Sequence, residues 1–429
     1  MAKKIPKEFS LVSPQVRHRY KMKLFNDGYL KANAILFLVT MGFGLTSALL
    51  SIYLSEQGIS LANIGLIFAV GLLVAGFLRV PLGVLSDCIG RKWLMIFGLL
   101  AYPLFSIGII YSTLVAHYIL LDLMLEIMGA IFWTGHSAYL FDAFAKGREG
   151  AGLSGRNVVS YLTGAVAPIL AGVIATSVGF SKLFMISATI SSLAILVALT
   201  VKDHNAKKRL CMPVMRQEFR ALNRIKHFGW IVFIIAMVDF IMVFWAIFMP
   251  IWLLQQGIGL KAIGAILSAN IFVGALIQVP LGKAIDKYHV KWIIIPGFLF
   301  MWVGSILFFT FQNYLSYAVN RIILGISSDA ASWPAVGLLA KFTPTAEHGA
   351  ATALAFGLAT VGRGLASLIG GQLTSAFGIP LVLMGAGFLA LFAALALMAS
   401  GKGKKKGTSV HKLHHWKFIN HHIATSNKQ

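Results

Sequence analysis

Ionisable residues stand inside several long apolar stretches of this sequence of 429 residues. Those of interest are Arg79, Glu126 with Asp122 one turn before it, His136, Asp239, Asp329 and Arg363. A charged group near the centre of a bilayer costs about 2.5–3.5 kcal/mol, so such groups face a polar cavity or a partner. Burial also favours the neutral form of a carboxyl group, which can then bind and release a proton in the cellular range. Asp239, Glu126 and Asp329 are therefore the candidate proton carriers.

Asp239 is the first choice among these carriers and Glu126 is the second. The segment "IIAMVDFIMVFWA" places no cation within four positions of Asp239, so any partner must come from another helix. Two simpler interpretations stay open. Asp329 and Arg321 could tie one helix locally, and Arg363 could be a permanent counterion for one of the acids.

The elements that must position these residues follow from composition. Hydrophobic residues make up 58% of the chain and charged residues 12%, against about 25% charged in ordinary soluble domains. Stretches of 18 or more apolar residues predict membrane-spanning helices. Twelve are predicted, near 31–54, 61–85, 92–113, 117–141, 156–178, 182–201, 229–254, 261–284, 291–311, 314–340, 348–376 and 379–400. We expect an all-α polytopic membrane protein.

A long internal repeat divides these helices into two sets. The segment "PLGVLSDCIGRKW" at 81–93 matches "PLGKAIDKYHVKW" at 280–292, and the offset of 199 holds without a gap from residue 53, with 16 identities in 41 positions. Solenoid and propeller repeats have periods of about 20–50 residues. The repeated unit is therefore half of the molecule, and we predict two pseudo-symmetric bundles of six helices.

The net charge of +23 is explained by the topology. With a cytoplasmic N-terminus, 32 of the 37 Lys and Arg residues fall in cytoplasmic segments, 3 on the outer side and 2 within helices, as the positive-inside bias requires. No nucleic-acid partner is predicted, because the basic segments lack interleaved aromatic residues. The predicted divisions are an N-terminal segment 1–30, a bundle 31–201, a linker 202–228, a bundle 229–400 and a tail 401–429.

The repeated segment resembles a motif of the major facilitator superfamily, and the resemblance extends over residues 30–400. The family pattern after the second helix is G-x-L-a-D-R-x-G-R-R. The matching residues here are Gly83, Leu85, Asp87, Gly90, Arg91 and Lys92, whereas Cys88 stands where a basic residue is usual. The resemblance implies a conformational latch, in which Asp87 and Arg91 join Asp142 and hold the two halves together in an outward-facing state.

The second copy of this motif is degenerate. Asp286 is retained, but Val290 replaces the arginine and His289 replaces the glycine. We therefore expect the latch to be asymmetric, with Asp87 more important than Asp286. The alternative is that both loops are tight turns with ordinary cytoplasmic charge.

The same resemblance implies a role for each helix. Helices 1, 4, 7 and 10 would line a central cavity, helices 2, 5, 8 and 11 would lie between the halves, and helices 3, 6, 9 and 12 would face lipid. The four lipid-facing spans contain no charged residue, which supports this assignment. Trp333 and other aromatic residues on cavity helices could bind apolar or cationic ligands, or they could serve as packing and interfacial anchors.

Two further resemblances bear on the direction of transport. Arg321 and Gly325 resemble the family's R-x-x-x-G pattern in helix 10, but Leu125 stands in helix 4 where proton-coupled exporters of the family carry an arginine associated with proton transfer, and this absence counts against an exporter. In helix 5, "TGAVAPILAG" keeps Pro168 and Gly172 of a family exporter motif. We predict a secondary active transporter that works by alternating access, is proton-coupled and leans towards efflux. The alternatives are a proton-coupled uptake symporter or a uniporter for a nutrient or organic ion, and less readily a polytopic membrane enzyme.

The remaining expectations concern partners and location. A small-molecule substrate, protons and the lipid bilayer are the predicted partners of a monomer, with no cofactor and no metal ion. We expect a multi-pass protein of the cell membrane with both termini cytoplasmic and no removable signal peptide. Cys88 and Cys211 would then stay reduced. The tail has five histidines, for which a metal site is an alternative to a solvated basic segment near anionic lipid.

Overall fold

In the part of the chain that the structure describes, twelve helices are long and apolar enough to cross a membrane. The computed structural model describes residues 27–89, 91–144, 149–201, 228–343 and 348–399. The helices are α1 (two segments, Asp27–Ser47 and Leu50–Glu56), α2 (Leu61–Ile89), α3 (two segments, Arg91–Leu99 and Ala101–Tyr111), α4 (Val115–Asp142), α5 (Glu149–Val178), α6 (Phe180–Leu199), α7 (Phe228–Gln255), α8 (Leu260–Lys287), α9 (Lys291–Thr310), α10 (Tyr314–Phe342), α11 (His348–Phe377) and α12 (Ile379–Ala399). The predicted all-α fold with 12 spans is confirmed.

Several helices are longer than their hydropathy indicates. We predicted that α2 ends near 85 and that α5 begins near 156, but α2 ends at Ile89 and α5 begins at Glu149. The apolar pattern stops where polar residues begin. The backbone, however, keeps its internal hydrogen bonds beyond the hydrocarbon region, because a helix satisfies them whatever its side chains are.

The repeat extends beyond the matched sequence segment to most of the helix ends. The starts of α2, α4, α5 and α6 lie 199 residues before the starts of α8, α10, α11 and α12. Four glycines with positive φ keep the same offset, namely Gly58 (74°), Gly257 (76°), Gly179 (85°) and Gly378 (82°). Such glycines end helices because a left-handed residue there has no Cβ to clash. The duplicated sequence therefore specifies the same helix ends twice.

Helix packing follows the repeat as well. In the first half, α1 packs against α5 and α6, α2 against α4, and α3 against α4 and α6. The second half has the equivalent contacts: α7 packs against α11 and α12, α8 against α10, and α9 against α10 and α12. The two bundles meet where α2 packs against α11 and where α5 packs against α8. The predicted pair of six-helix bundles is thus observed.

The outer helices carry exposed apolar side chains, as a lipid-facing surface requires. Trp93 and Phe97 on α3 and Phe388 and Phe392 on α12 are exposed. We call the end of the molecule where α1 joins α2 and α5 joins α6 the hairpin end. The opposite end, where α2 joins α3, α6 ends and α7 begins, is the linker end.

Candidate functional site

Four charged residues from both bundles face one another in the interior. Arg79 is on α2, Glu126 on α4, Asp239 on α7 and Arg363 on α11. Both arginines lie within electrostatic range of both acids. We call these four residues the central charge cluster. Among the described residues only two ion pairs form, Lys31–Asp27 and Arg91–Asp142, so the cluster contains no direct ion pair.

Arg79 connects the two bundles within this cluster. Its Nη1 atom donates to the backbone oxygen of Phe356 on α11 at 3.4 Å. A Cβ atom on Gly357 would lie 3.8 Å from the Cβ of Arg79. A change in the distance between α2 and α11 would therefore move this guanidinium relative to Glu126 and Asp239.

A second carboxyl group lies beside Glu126. Asp122 is one turn earlier on α4, and it is buried with no hydrogen-bond partner for Oδ2 in the part of the chain that the structure describes. Gly71 on α2 makes room for both acids, since a Cβ atom there would overlap Asp122 Oδ2 and lie 3.0 Å from the Cγ of Glu126. Two adjacent carboxyl groups favour sharing of a proton. Sequence analysis identified Glu126 but did not assign a role to Asp122.

Asp329 does not join the central charge cluster. Its Oδ1 atom accepts a hydrogen bond from Trp333 Nε1 at 3.2 Å, and its Oδ2 atom faces α8 beside Gly274. Tyr161 on α5 is within electrostatic range of Asp329 and accepts a hydrogen bond from Gln278 on α8. We call Tyr161, Gln278, Asp329 and Trp333 the Asp329 group. It lies where α5, α8 and α10 meet.

His136 and Arg321 also lie away from the cluster. His136 is buried against α1, with Nε2 2.9 Å from the backbone oxygen of Ala32 and the ring 5.3 Å from that of Phe132. Arg321 is 8% exposed, and its Nε and Nη1 atoms have no hydrogen-bond partner among the described residues. The local tie between Arg321 and Asp329 is not formed in this structure.

The latch residues are seen in part. Arg91 forms an ion pair with Asp142 and donates to the backbone oxygen of Ala138 at 3.0 Å, and Lys92 donates to the backbone oxygen of Leu199 at 2.9 Å. These contacts join α3 to α4 and α6 inside the first bundle. Asp286 is exposed on α8. The side chains of residues 83–89, which include Gly83, Asp87 and Cys88, lie outside the described part, as do Gly90, Cys211 and the tail.

Glycines bring the bundles together at the hairpin end, at two symmetry-related crossings. A Cβ atom on Gly65 of α2 would lie 2.6 Å from the Cα of Gly371 on α11. At the other crossing, a Cβ atom on Gly264 of α8 would overlap the backbone oxygen of Pro168 on α5, and one on Gly172 would overlap that of Leu260. The predicted helix 5 motif therefore makes a bundle contact. Sequence analysis missed Gly65, Gly264 and Gly371.

A cavity of about 670 Å³ lies between α5 and α8, on the linker side of their crossing. Val158, Leu162 and Ala165 line it from α5, and Phe272, Ala275 and other residues line it from α8. The walls are apolar except for a few polar side chains, which include Tyr161 and Gln278. No sequence pattern predicted this cavity, because its existence depends on the spacing between two helices.

The comparisons with known proteins agree with this architecture. A family profile described as Major Facilitator Superfamily matches residues 33–274 and 229–422. A probable nitrate transporter, NarT, of Staphylococcus epidermidis is 24% identical over 384 residues, which are 86% of this chain and 94% of the relative. A multi-drug resistance efflux pump PmrA homolog of Lactococcus lactis is 26% identical over 324 residues, 72% of this chain and 78% of the relative.

Solved structures show the same fold. The crystal structure of the nucleoside transporter NupG has a TM-score of 0.74 with 15% sequence identity, covering 88% of this chain and 100% of that one. At this identity the similarity concerns the fold only. The relatives are described with different substrates, so the substrate must be argued from the residues of this chain.

Proposed function

The chain belongs to the major facilitator superfamily, and on this premise we propose that it is a proton-coupled transporter that moves a small molecule by alternating access and acts in efflux. It is a multi-pass cell membrane protein and a transporter, not an enzyme. The observation that carries the proposal is the central charge cluster, in which two acids and two arginines are contributed by both bundles. Protonation of Asp239 or Glu126 changes the charge between the bundles.

The coupling mechanism follows from this arrangement. With both acids ionised, two negative and two positive charges attract across the bundle interface. Protonation of one acid removes an attraction and leaves an arginine in excess, so the relative free energies of the open and closed states change. The transported molecule and the proton would then bind alternately. Asp239 is the first choice as carrier and Glu126 is the second.

Neutralisation of each acid tests this proposal. Asp239→Asn in proteoliposomes should keep counterflow exchange of substrate but lose flux driven by a pH gradient, by about tenfold or more. Glu126→Gln ranks the second acid. Asp27→Asn is the matched control, because Asp27 pairs with Lys31 at an exposed position outside the cluster. Full gradient-driven flux in both cluster variants would exclude the cluster as the coupling site.

A second candidate function is uptake of a small anion. Arg79 and Arg363 could bind an anion between the bundles, and several relatives are described as probable nitrate transporters. Nitrate flux into proteoliposomes distinguishes the two candidates. Saturable nitrate uptake that is lost in Arg363→Gln would support the anion transporter and contradict efflux of a larger molecule.

The proposed topology places the linker end in the cytoplasm. The segments 1–30, 202–228 and 401–429 would then all be cytoplasmic, as the distribution of Lys and Arg favours. Single cysteines introduced between residues 202 and 226 should not react with an impermeant reagent added outside intact cells. Reaction from outside would reverse the orientation. We also expect the transporter to work as a monomer, which cross-linking in membranes tests.

A further inference from the structure

The cavity between α5 and α8 opens on the outer surface of the molecule. On α8, Gly264 and Ile271 face α5, while Asn270 and Gly274 face α10. The remaining face of α8 carries Phe272, which is 61% exposed, together with Leu276 and Val279. A helix has 3.6 residues per turn, so this face points away from the bundle interior.

The wall formed by α5 has the same orientation. Thr163 and Ala167 face α1, through a hydrogen bond of 2.8 Å from Thr40 to Thr163 and a close contact between Gly44 and Ala167. The opposite face carries Val158, which is 65% exposed, together with Leu162 and Ile169. In a bilayer both outer edges of the cavity contact lipid. We call the cavity the lateral groove.

A carboxylate lies behind the inner wall of the lateral groove. Tyr161 and Gln278 line the groove and bond to each other across it. Asp329 lies beyond them, next to Gly274 and within electrostatic range of Tyr161. Its only hydrogen bond among the described residues is with Trp333. Neither ion pair in the described structure includes Asp329, so its charge has no cationic partner there.

We infer that the lateral groove admits an amphipathic monovalent cation from the bilayer, with its apolar part between α5 and α8 and its cationic group paired with Asp329. This inference rests on the proposed transport function and names a substrate class for it. The apolar walls accommodate the tail, which leaves lipid for equally apolar surroundings and is held there by packing contacts. The unpaired carboxylate selects a positive head, and the indole of Trp333 adds a cation–π surface beside it.

The size and the depth of the groove fit this occupant. A volume of about 670 Å³ lies within the range of about 300–1,000 Å³ found for small-molecule sites. Tyr161 and Gln278 lie about 12 and 9 residues from the linker ends of their helices, which corresponds to about 14–18 Å of helix. The groove therefore opens to the leaflet at the linker end, and a molecule dissolved in that leaflet can enter it as far as Tyr161 and Gln278 without crossing water.

The test measures equilibrium binding of radiolabelled decyltrimethylammonium to the full chain in lipid nanodiscs, with empty nanodiscs as the blank for partition into lipid. Saturable binding is expected, and Asp329→Asn should weaken it by about tenfold or more, because the charged pairing is lost. Asp329→Glu keeps the charge and should restore binding to within about threefold. Decanol and tetramethylammonium, which carry only the tail or only the head, should compete poorly.

Substitutions in the groove separate this site from general lipid contact. Ala269→Phe fills the groove from α8 and should weaken binding by about fivefold or more. Val173→Phe adds the same ring to an exposed position on α5 outside the groove and should leave binding unchanged. Both variants are first checked for thermal stability and monodispersity in nanodiscs.

Three results would overturn the inference: equal binding by Asp329→Asn and the unmodified chain, displacement by decanol as effective as by the cation, or no effect of Ala269→Phe. The binding assay is at equilibrium without a pH gradient, so a failure of proton coupling would leave its result unchanged. The flux of Asp239→Asn reports on coupling separately. The failure of the substrate assignment and the failure of the proposed function are therefore distinguishable.

Discussion

The two bundle interfaces are related by the internal repeat, yet only one of them is closed along its length. At the hairpin end both crossings are made by equivalent residues, with Gly371 against Leu61 and Gly172 against Leu260. Farther towards the linker end, α2 and α11 stay in contact through glycine, whereas α5 and α8 border the lateral groove. The two interfaces differ because the repeat has diverged there.

Three substitutions account for the divergence. Gly76, Gly357 and Gly364 allow α2 and α11 to touch, since a Cβ atom on Gly76 would lie 2.7 Å from Val361 and one on Gly364 would lie 2.7 Å from Leu73. The equivalent residues 199 positions away, which all line the lateral groove, are Ala275, Val158 and Ala165. Side chains in place of glycine hold helices farther apart. Glycine content therefore decides which interface opens.

The largest expected effect concerns the part that the two interfaces share. Gly65→Leu and Gly264→Leu should each lower the free energy of unfolding by about 3 kcal/mol or more, because each side chain would meet backbone atoms that cannot rotate away. Unfolding of the purified variants in micelles by denaturant titration measures both losses. Equal losses are expected from the symmetry of the crossings.

A large loss from one glycine and none from the other would show that only one crossing closes the hairpin end. Gly259→Leu is the matched control, since a Cβ atom there meets nothing within 4 Å and φ is −67°. That variant should remain within about 0.5 kcal/mol of the unmodified chain.

Sequence analysis predicted the architecture well because hydropathy and the repeat report directly on helix number and pairing. The 12 spans needed only composition and the two bundles only the period of the repeat, whereas the lipid-facing helices were assigned through the family resemblance. Prediction of the site would also have required the rotation of each helix about its own axis, which decides the side chains that face one another. Arg79, Glu126, Asp239 and Arg363 were each identified as charges in a membrane, but their assembly into one cluster depends on four helices at once.

Asp329 and His136 show more clearly what sequence analysis could not predict. Both are polar residues on helices predicted to line the cavity, so the sequence offered the same reason to place each of them in the site. Asp329 lies beside the lateral groove with Trp333, whereas His136 bonds to a backbone oxygen within the first bundle. The glycine pattern was the one sequence signal that could have shown more. When residues 65, 76 and 172 are aligned on their equivalents 199 positions later, the glycines that are kept and lost indicate where helices approach each other.

A second prediction tests the difference between the interfaces. Gly76→Val should lower the free energy of unfolding by about 2 kcal/mol through overlap with Gly357 and Val361. Ala275→Val, at the equivalent position on α8, should cost less than about 0.5 kcal/mol because the groove has room for it. Both variants introduce valine at symmetry-related positions, and denaturant titration in micelles compares their free energies of unfolding. Equal costs would mean that the groove is closed in solution.

The smallest expected effect concerns the latch. Arg91 and Asp142 are paired within the first bundle and are 28% and 40% exposed, so a double-mutant cycle with Arg91→Gln and Asp142→Asn should give a coupling free energy of about 0.2–1 kcal/mol. Such a pair stabilises one bundle and does not by itself hold α2 to α11.

The latch prediction concerns transport. Asp87→Asn should impair transport more than Arg91→Gln or Asp142→Asn does, while leaving membrane insertion intact. Asp286→Asn should matter less than Asp87→Asn. Flux in proteoliposomes, normalised to inserted protein, ranks the four. If Arg91→Gln abolished transport while Asp87→Asn retained it, the conformational latch would lie between α3 and α4. It would then not act at either of the two bundle interfaces.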